Sequence, residues 1–81
     1  MEDTVFVVIE EVDYERGVRV YAAKPEAEAD VQAAVREYAK TGKVSTTEWE
    51  RGGDMWTADG GDISLEIVEA EVNRTFQPIV G

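Results

Sequence analysis

Alternating apolar and polar positions divide this chain into five predicted strands and one predicted helix. The most apolar run, Val5-Phe6-Val7-Val8-Ile9, lies within a predicted strand over residues 4–12 and is rich in β-branched and aromatic side chains, as strands are. Both alternating faces of this strand are apolar, which is typical of a central strand covered on both sides. We therefore expect its second face to be covered by a C-terminal segment, a second copy or a target.

A hairpin and a helix are predicted next. Residues 13–17 are typical of a turn, in which Gly17 is expected to supply the positive φ, and residues 18–23 form the predicted return strand. Pro25 suits the first position of a helix, and Gly42 suits the position just after its end. Between them, apolar residues recur with helical spacing to form one stripe: Ala27, Val31, Ala34, Val35 and Tyr38.

Three more strands are predicted over residues 44–51, 55–58 and 63–72, separated by Gly-rich and Asp-rich turns. The order β-β-α-β-β-β predicts an α+β fold, a two-layer sandwich of a mainly antiparallel sheet with one helix on one face. We expect residues 1–81 to form a single domain. The first five elements also match the order of the ubiquitin-like β-grasp.

The last predicted strand and the residues after it carry two further signals. Apolar positions change phase within the strand, from Ile63, Leu65 and Ile67 to the set that starts at Val68, which predicts a bulge or a sharp bend. Residues 73–81 are apolar in part but have no periodicity. They are predicted to be a tail that folds back over the open sheet face or docks on a partner.

Composition narrows the chemistry. The chain has 81 residues, with no Cys and no His. Disulfides, thiol nucleophiles, zinc knuckles, imidazole metal sites and Ser-His-Asp triads are therefore excluded. We expect no catalytic residues, no cofactor and no metal. A small enzyme would have to rely on carboxylates, Tyr or Ser in a chain that has little room for a pocket.

The net charge of −10, from 18 acidic and 8 basic side chains, disfavours direct contact with nucleic acid because like charges repel. The longest apolar run is too short to span a bilayer, so no membrane contact is expected. The acidic start Met1-Glu2-Asp3 differs from the basic start of a signal peptide, which predicts a cytoplasmic location in the producing cell or a host. Two explanations of the charge remain open: adaptation to a salt-rich cytosol, or a cationic partner.

Several motifs have a structural interpretation beside a functional one. The aspartates of the Gly52–Asp62 region are turn residues or a weak site for a hard cation. Pairs of glutamates at 48/50 and 69/71 lie on solvated sheet faces or act as the two carboxylates of glycoside hydrolysis. Trp49 and Trp56 fill the core or anchor an interface. Val80-Gly81 preserves half of the Gly-Gly ending of ubiquitin-like modifiers.

Acidic side chains concentrate in the first hairpin and the last strand. We expect them to form a partner-binding ridge at one end of the sheet, which would imitate the charge of a nucleic-acid backbone and occupy a basic groove. A solvated, salt-adapted face is the alternative. The predicted ridge consists of Glu10, Glu11, Asp13, Tyr14, Glu15, Glu66, Glu69 and Glu71.

Four short motifs between Val7 and Trp49 resemble those of small proteins common in phages and mobile elements. They are Val7-Val8-Ile9, Asp13-Tyr14, Ala27-Glu28-Ala29 and Glu48-Trp49-Glu50. With its extra C-terminal strands, the layout is also similar to small single-helix anti-CRISPR proteins, which bind a CRISPR effector and block DNA entry without catalysis. The resemblance implies a protein partner with a basic surface, such as a CRISPR effector, but it assigns no individual functional residue.

Three functional hypotheses follow. The first is a non-catalytic acidic inhibitor that occupies a basic nucleic-acid-binding surface of its partner. The second is a salt-adapted structural or regulatory subunit that forms a homodimer through its sheet. The third is a small ubiquitin-like modifier.

Overall fold

A computed structural model describes residues 3–72, which form one sheet and one helix. The elements are β1 (Asp3–Val12), β2 (Glu15–Tyr21), α1 (Lys24–Lys40), β3 (Glu50–Gly52), β4 (Met55–Ala58) and β5 (Ile63–Val72), with a short 3₁₀ turn at Asp59–Gly61. The predicted α+β class and the order β-β-α-β-β-β are confirmed. The predicted tail at residues 73–81 lies outside the described residues.

All strand pairs are antiparallel, in the order β2-β1-β5-β4-β3. β1 and β5 occupy the centre and pair without interruption from Asp3 opposite Val72 to Val12 opposite Ile63. The predicted bulge in the last strand is therefore wrong. The apolar phase changes because the first half of β5 is apolar on the helix side, whereas Val68 and Ala70 point to the opposite face.

The β1–β2 hairpin turns through only two residues, Asp13 and Tyr14, with φ values of 50° and 71°. Positive φ at both positions is the hallmark of a type I′ turn, whose twist matches that of the flanking strands. The expectation that Gly17 supplies the positive φ is wrong, since Gly17 lies within β2 opposite Glu10. The return strand consequently begins at Glu15 rather than at residue 18.

Helix α1 begins and ends as predicted. Pro25 lies in its first turn, where the missing N–H leaves no helical hydrogen bond unmade. At its carboxyl end Gly42 adopts a φ of 80°, while its N–H donates to the carbonyl of Ala39 and that of Lys43 donates to the carbonyl of Tyr38. These two bonds form a Schellman motif, which satisfies carbonyls that the helix leaves free.

Residues 44–49 do not form the predicted strand, and β3 is only three residues long. The N–H of Ser45 donates to the carboxylate of Glu48, and the N–H of Glu48 donates to the carbonyl of Ser45. The hydroxyl of Ser45 also accepts a hydrogen bond from the N–H of Thr47, and local bonds of this kind compete with a strand ladder. The buried side chain of Val44 fixes this turn to the core.

The core lies between the sheet and α1. Its main cluster consists of Val8, Ala27, Val31, Val35, Trp56, Leu65 and Ile67. A second cluster, of Val44, Ala58 and Ile63, lies below the 3₁₀ turn, and Trp49 packs against both clusters. The interpretation of Trp56 as a core residue is confirmed. No helix within residues 3–72 is long and apolar enough to cross a membrane.

Truncation of Leu65, which is fully buried, should test this packing. We expect Leu65→Ala to lower the free energy of unfolding by about 3 kcal/mol, since it removes buried methyl groups and leaves a cavity. The adjacent Ser64→Ala is the control, because Ser64 points to the opposite face, and it should cost less than about 0.5 kcal/mol. Urea unfolding followed by circular dichroism measures both. Equal losses would contradict the helix-side placement of Leu65.

Candidate functional site

The residues of the predicted acidic ridge are divided among separate parts of the fold. Asp13, Tyr14 and Glu15 form the β1–β2 turn at one end of the sheet, whereas Glu69 and Glu71 lie opposite Phe6 and Thr4 near the other end.

At about 3.3 Å per residue, Glu71 is roughly 26 Å along β5 from the end that carries the turn. Glu66 lies between these ends, opposite Ile9 and Met55 on the face away from the helix. The eight predicted residues therefore do not form one ridge.

Glu10 points toward the helix and joins a network of charged and hydroxyl groups. Its carboxylate accepts a hydrogen bond from the hydroxyl of Tyr38 and pairs with Arg19 at 2.9 Å. Arg19 in turn binds Asp30 of α1 through two bonds, of 2.6 Å from Nε and 2.7 Å from Nη2. The hydroxyl of Tyr21 donates to the same carboxylate. We call these five residues the Arg19 network; they connect α1 to β1 and β2.

The pKa shifts of Asp30, Tyr21 and Tyr38 hold these three groups in their ordinary protonation states at neutral pH. The hydrogen bonds from Arg19 lower the pKa of Asp30 below its usual value, against the opposing effect of burial. Burial raises the pKa of Tyr38, and its bond to Glu10 raises it further. The pKa of Tyr21 is raised by its bond to Asp30. The network thus combines the charged carboxylate of Asp30 with neutral tyrosines as hydrogen-bond donors.

A groove of about 680 Å³ lies along this network, between α1 and β2. Ala33 and Ala34 contribute apolar walls, and the polar lining includes Arg19, Asp30 and Tyr38. These polar groups already bind one another, and Asp30 is only 9% exposed. The arrangement fits a clamp between helix and sheet better than a ligand site, because a ligand would have to displace charge-assisted hydrogen bonds.

A different set of carboxylates converges at the turn end of the sheet. Because Val12 pairs with Ile63, the β1–β2 turn lies beside the 3₁₀ turn. One shallow depression there is bordered by Tyr14 and Asp62, and a second, on the other side of the 3₁₀ turn, by Glu48 and Asp59. We call this surface the acidic end; its residues are Glu11, Asp13, Tyr14, Glu15, Glu48, Glu50, Asp59 and Asp62.

Two cations partly neutralise the acidic end. Lys43 lies 2.8 Å from Asp13, which raises the pKa of Lys43, and Arg16 lies 3.0 Å from Glu11. Both pairs are well exposed, so each is weak and screened by salt. Among residues 3–72, no ion pair involves the other five carboxylates, Glu15, Glu48, Glu50, Asp59 and Asp62. The acidic end therefore has excess negative charge.

Tyr14 projects from the acidic end into solvent. Its side chain is fully exposed although it is a large ring, and its φ of 71° lies in the left-handed region. That conformation costs an L-residue with a Cβ roughly 1–2 kcal/mol relative to a right-handed one. The fold thus holds an aromatic ring outward in a strained backbone conformation without burying it.

Sequence patterns identified the hairpin part of the acidic end but missed Glu48, Glu50, Asp59 and Asp62. The Gly-Gly turns are recognisable in the sequence, but only the register of β1 with β5 shows that the turn before β5 lies beside the β1–β2 hairpin. The sequence also allows a weak cation site at the aspartates of the Gly52–Asp62 region. Within the described residues 3–72, no group of three or more acidic side chains is arranged to hold a metal ion.

Comparison of the chain with protein-family models, with curated proteins and with solved structures finds no match. The geometry of the described residues is therefore the basis for a functional proposal.

Replacement of Asp30 should weaken the Arg19 network. We expect Asp30→Asn to lower the free energy of unfolding by about 1–2 kcal/mol at pH 7. This is less than the usual contribution of a charge-assisted hydrogen bond, because the Arg19 side chain is 39% exposed and water screens the pair. Folding lowers the pKa of Asp30. The contribution of Asp30 to the free energy of unfolding is therefore fully present above the pKa of the unfolded state, about 3.9, and is lost as the pH falls through the pKa of the folded state. Wild type should therefore lose more stability on acidification than the variant.

Urea unfolding between pH 7 and pH 2 measures this difference. Glu26→Gln is the matched control, because Glu26 lies in the first turn of the same helix and is exposed. The role assigned to Asp30 would be contradicted by parallel pH profiles for wild type and Asp30→Asn.

Proposed function

We propose that this protein is a non-catalytic binding protein whose acidic end occupies a basic, nucleic-acid-binding surface of another protein. The resemblance to single-helix anti-CRISPR proteins favours a CRISPR effector, or another nucleic-acid-binding defence machine, as the partner. The site of action would be the cytoplasm of the host or of the producing cell. The concentration of carboxylates at one end of a regular sheet supports this function.

Tyr14 is the observation that carries the proposal. A fully exposed ring at positive φ destabilises the isolated chain and buries no surface in return. Large aromatic side chains become favourable at such positions when a partner covers them, since they bury much area at low entropic cost. Asp13 and Glu15 flank the ring and Asp62 lies beside it, so the covering surface should be both apolar at its centre and cationic around it.

The charge density of the acidic end is close to that of a nucleic-acid strand. Five strands about 4.8 Å apart make this end about 19 Å wide. It carries seven carboxylates, of which two pair with cations, so the excess is about one charge per 4 Å. A single DNA strand has one phosphate per about 3.4 Å along its axis. A groove that binds phosphates should therefore attract the acidic end, with strong dependence on salt.

Charge reversal should locate the binding surface. We expect the double variant Asp59→Lys and Asp62→Lys to compete about 10- to 100-fold less well than wild type with labelled target DNA for a purified CRISPR effector complex. Each reversal replaces an attraction of roughly 0.5 kcal/mol by a repulsion of similar size, because water and salt screen the partner's charges, so two reversals cost about 2 kcal/mol. Fluorescence polarisation at several salt concentrations measures the competition.

The matched control is the double variant Glu69→Lys and Glu71→Lys at the opposite end of β5. Each pair of substitutions adds four charges, so both variants change the net charge from −10 to −6. Equal weakening by the two variants would show that net charge alone matters. Competition that is insensitive to salt would also count against the proposal.

Tyr14 should show a conflict between stability and binding. We expect Tyr14→Gly to raise the free energy of unfolding by about 0.5–1 kcal/mol, because Gly adopts positive φ without strain and Asp-Gly favours a type I′ turn. The same variant should weaken competition for the effector, whereas Tyr14→Phe should preserve it. Thermal unfolding and the DNA competition assay measure the two effects. Unchanged competition by Tyr14→Gly would remove the main support for the acidic end as an interface.

A further inference from the structure

The two edges of the sheet are protected to different degrees. One edge is β3, which is only three residues long. The other is β2, which is seven residues long, contains neither Pro nor Lys, and pairs with β1 without a bulge. Edge strands of monomers are usually short or carry Pro, Lys or bulges, because unpaired backbone groups recruit other strands. Among residues 3–72, no element pairs with the outer side of β2, so this edge is open.

The outer side of β2 presents the backbone groups of three residues. The type I′ turn closes with a hydrogen bond between Val12 and Glu15, and non-bonded pairs then alternate with bonded pairs along the ladder. Gly17 and Arg19 therefore bond to β1. The residues that alternate with them direct their N–H and C=O groups away from β1; these residues are Arg16, Val18 and Val20.

The side chains of Val18 and Val20 are exposed at the same edge. They point away from α1, because Arg19 and Tyr21 between and beyond them contact Asp30 of the helix. Val18 is 56% exposed and Val20 is 59% exposed, although β-branched side chains in a sheet normally pack against neighbours on both sides. A further strand on the outer side of β2 would cover both valines and satisfy their backbone groups.

The charge of β2 permits a second copy of this chain to approach as that strand. The strand contains two arginines and one glutamate, whereas the whole chain has a net charge of −10. Arg16 pairs with Glu11 and Arg19 pairs with Asp30, so neither arginine adds free positive charge to the edge.

The flank of α1 beside this edge also leaves room for a second copy. Ala33 and Ala34 form the wall of the groove between α1 and β2, and their side chains are small. Glu37 also lines this groove and is exposed. Its charge would repel the same group of a second copy, so salt should favour the approach of two chains at this edge.

Antiparallel pairing of β2 with its own copy is self-complementary in one register. With the two-fold axis at Val18, Val18 lies opposite Val18 of the second copy, and Arg16 lies opposite Val20. All three outward-facing residues of each copy then bond, which gives about six interchain hydrogen bonds. An axis at Arg16 would place two guanidinium groups opposite each other, and an axis at Val20 would continue past Tyr21, where β2 ends.

Gly17 is explained by this register but not by the single chain. Its φ is not positive, and a Cβ built on it would meet only the tip of Arg19, at 3.9 Å, so the isolated fold does not require glycine there. Glycine inside a strand weakens it and often marks the close approach of another chain. In the proposed register, Arg19 of the second copy lies opposite Gly17, whose missing side chain provides the space.

We propose that two copies of this protein pair antiparallel through β2, so that their five-stranded sheets join into one continuous sheet with a two-fold axis at Val18. The facing surfaces are about 24 Å long and, with sheet and helix together, roughly 20 Å high, which gives about 500 Å² per copy. A stable interface buries about 800 Å² per partner, so we expect reversible, micromolar association. The inference does not rest on the proposed function, because the contact is the edge of the sheet and not its acidic end.

Sedimentation velocity of the full chain, from micromolar to millimolar concentration, tests the association. The dimer fraction should rise with concentration and with salt, since salt screens the repulsion between two acidic chains. Val18→Lys would place two ammonium groups opposite each other at the two-fold axis and should raise the dissociation constant about 10-fold or more. Met55→Lys is the matched control, because it adds the same charge at an exposed position on β4, away from this edge, and it should change the constant less than about twofold.

Hydrogen exchange of the wild-type chain reads the register without a substitution. The amide protons of Arg16, Val18 and Val20 should exchange several-fold more slowly as the protein concentration rises, because the second copy bonds them. Those of Gly17 and Arg19 should change far less, because β1 already bonds them in the single chain.

Three results would overturn the proposal. A dimer that survives Val18→Lys would place the contact elsewhere, and equal weakening by both lysine variants would show that charge alone controls association. A chain that remains monomeric at every concentration, with constant exchange of the three amides, would leave the edge to a foreign strand. None of these results alters the competition with DNA that tests the proposed function, so the two proposals fail separately.

Discussion

The ten-residue antiparallel pairing of β1 with β5 is the contact on which the rest of this molecule depends. It joins segments that are about fifty residues apart at the hairpin end, so its formation requires closure of a long loop. Once it forms, it aligns Val8 with Ile67 under the helix and Val7 with Val68 on the opposite face. It also brings the β1–β2 turn beside the 3₁₀ turn. The core, the apolar side chains on the face opposite the helix and the acidic end are three results of a single register.

Local signals were sufficient for the elements that local chemistry stabilises. Pro25 and Gly42 marked the ends of α1 because each has a backbone preference that few residues share. The predicted strand failed over residues 44–49, since alternation of Ser and Thr resembles a strand but the Ser45 hydroxyl and the Glu48 carboxylate bind nearby backbone groups instead. The bulge predicted in β5 failed because periodicity along one strand does not reveal how many faces of the sheet are apolar.

The same distinction between local signals and long-range pairing applies to the candidate site. Asp13, Tyr14 and Glu15 were recognisable because a turn of charged residues with an aromatic ring is visible in the sequence itself. The orientation of Glu10 toward the helix was not recognisable, because it depends on contacts with Arg19 and with Tyr38, which lies 28 positions away. The contribution of Asp59 and Asp62 required the β1–β5 register. Charge composition thus indicated that an acidic surface exists, while only pairing between distant segments determined where it lies.

The pairing of Asp3 with Val72 has a consequence for how the molecule can be attached to something else. The chain enters the described fold and leaves it on neighbouring central strands, at the same short side of the sheet. Any flanking sequence, fusion partner or immobilisation tag would therefore be tethered there, roughly 30 Å from the hairpin turn. An anchored copy would be oriented with its acidic end outward, accessible to a large assembly without obstruction by the tether.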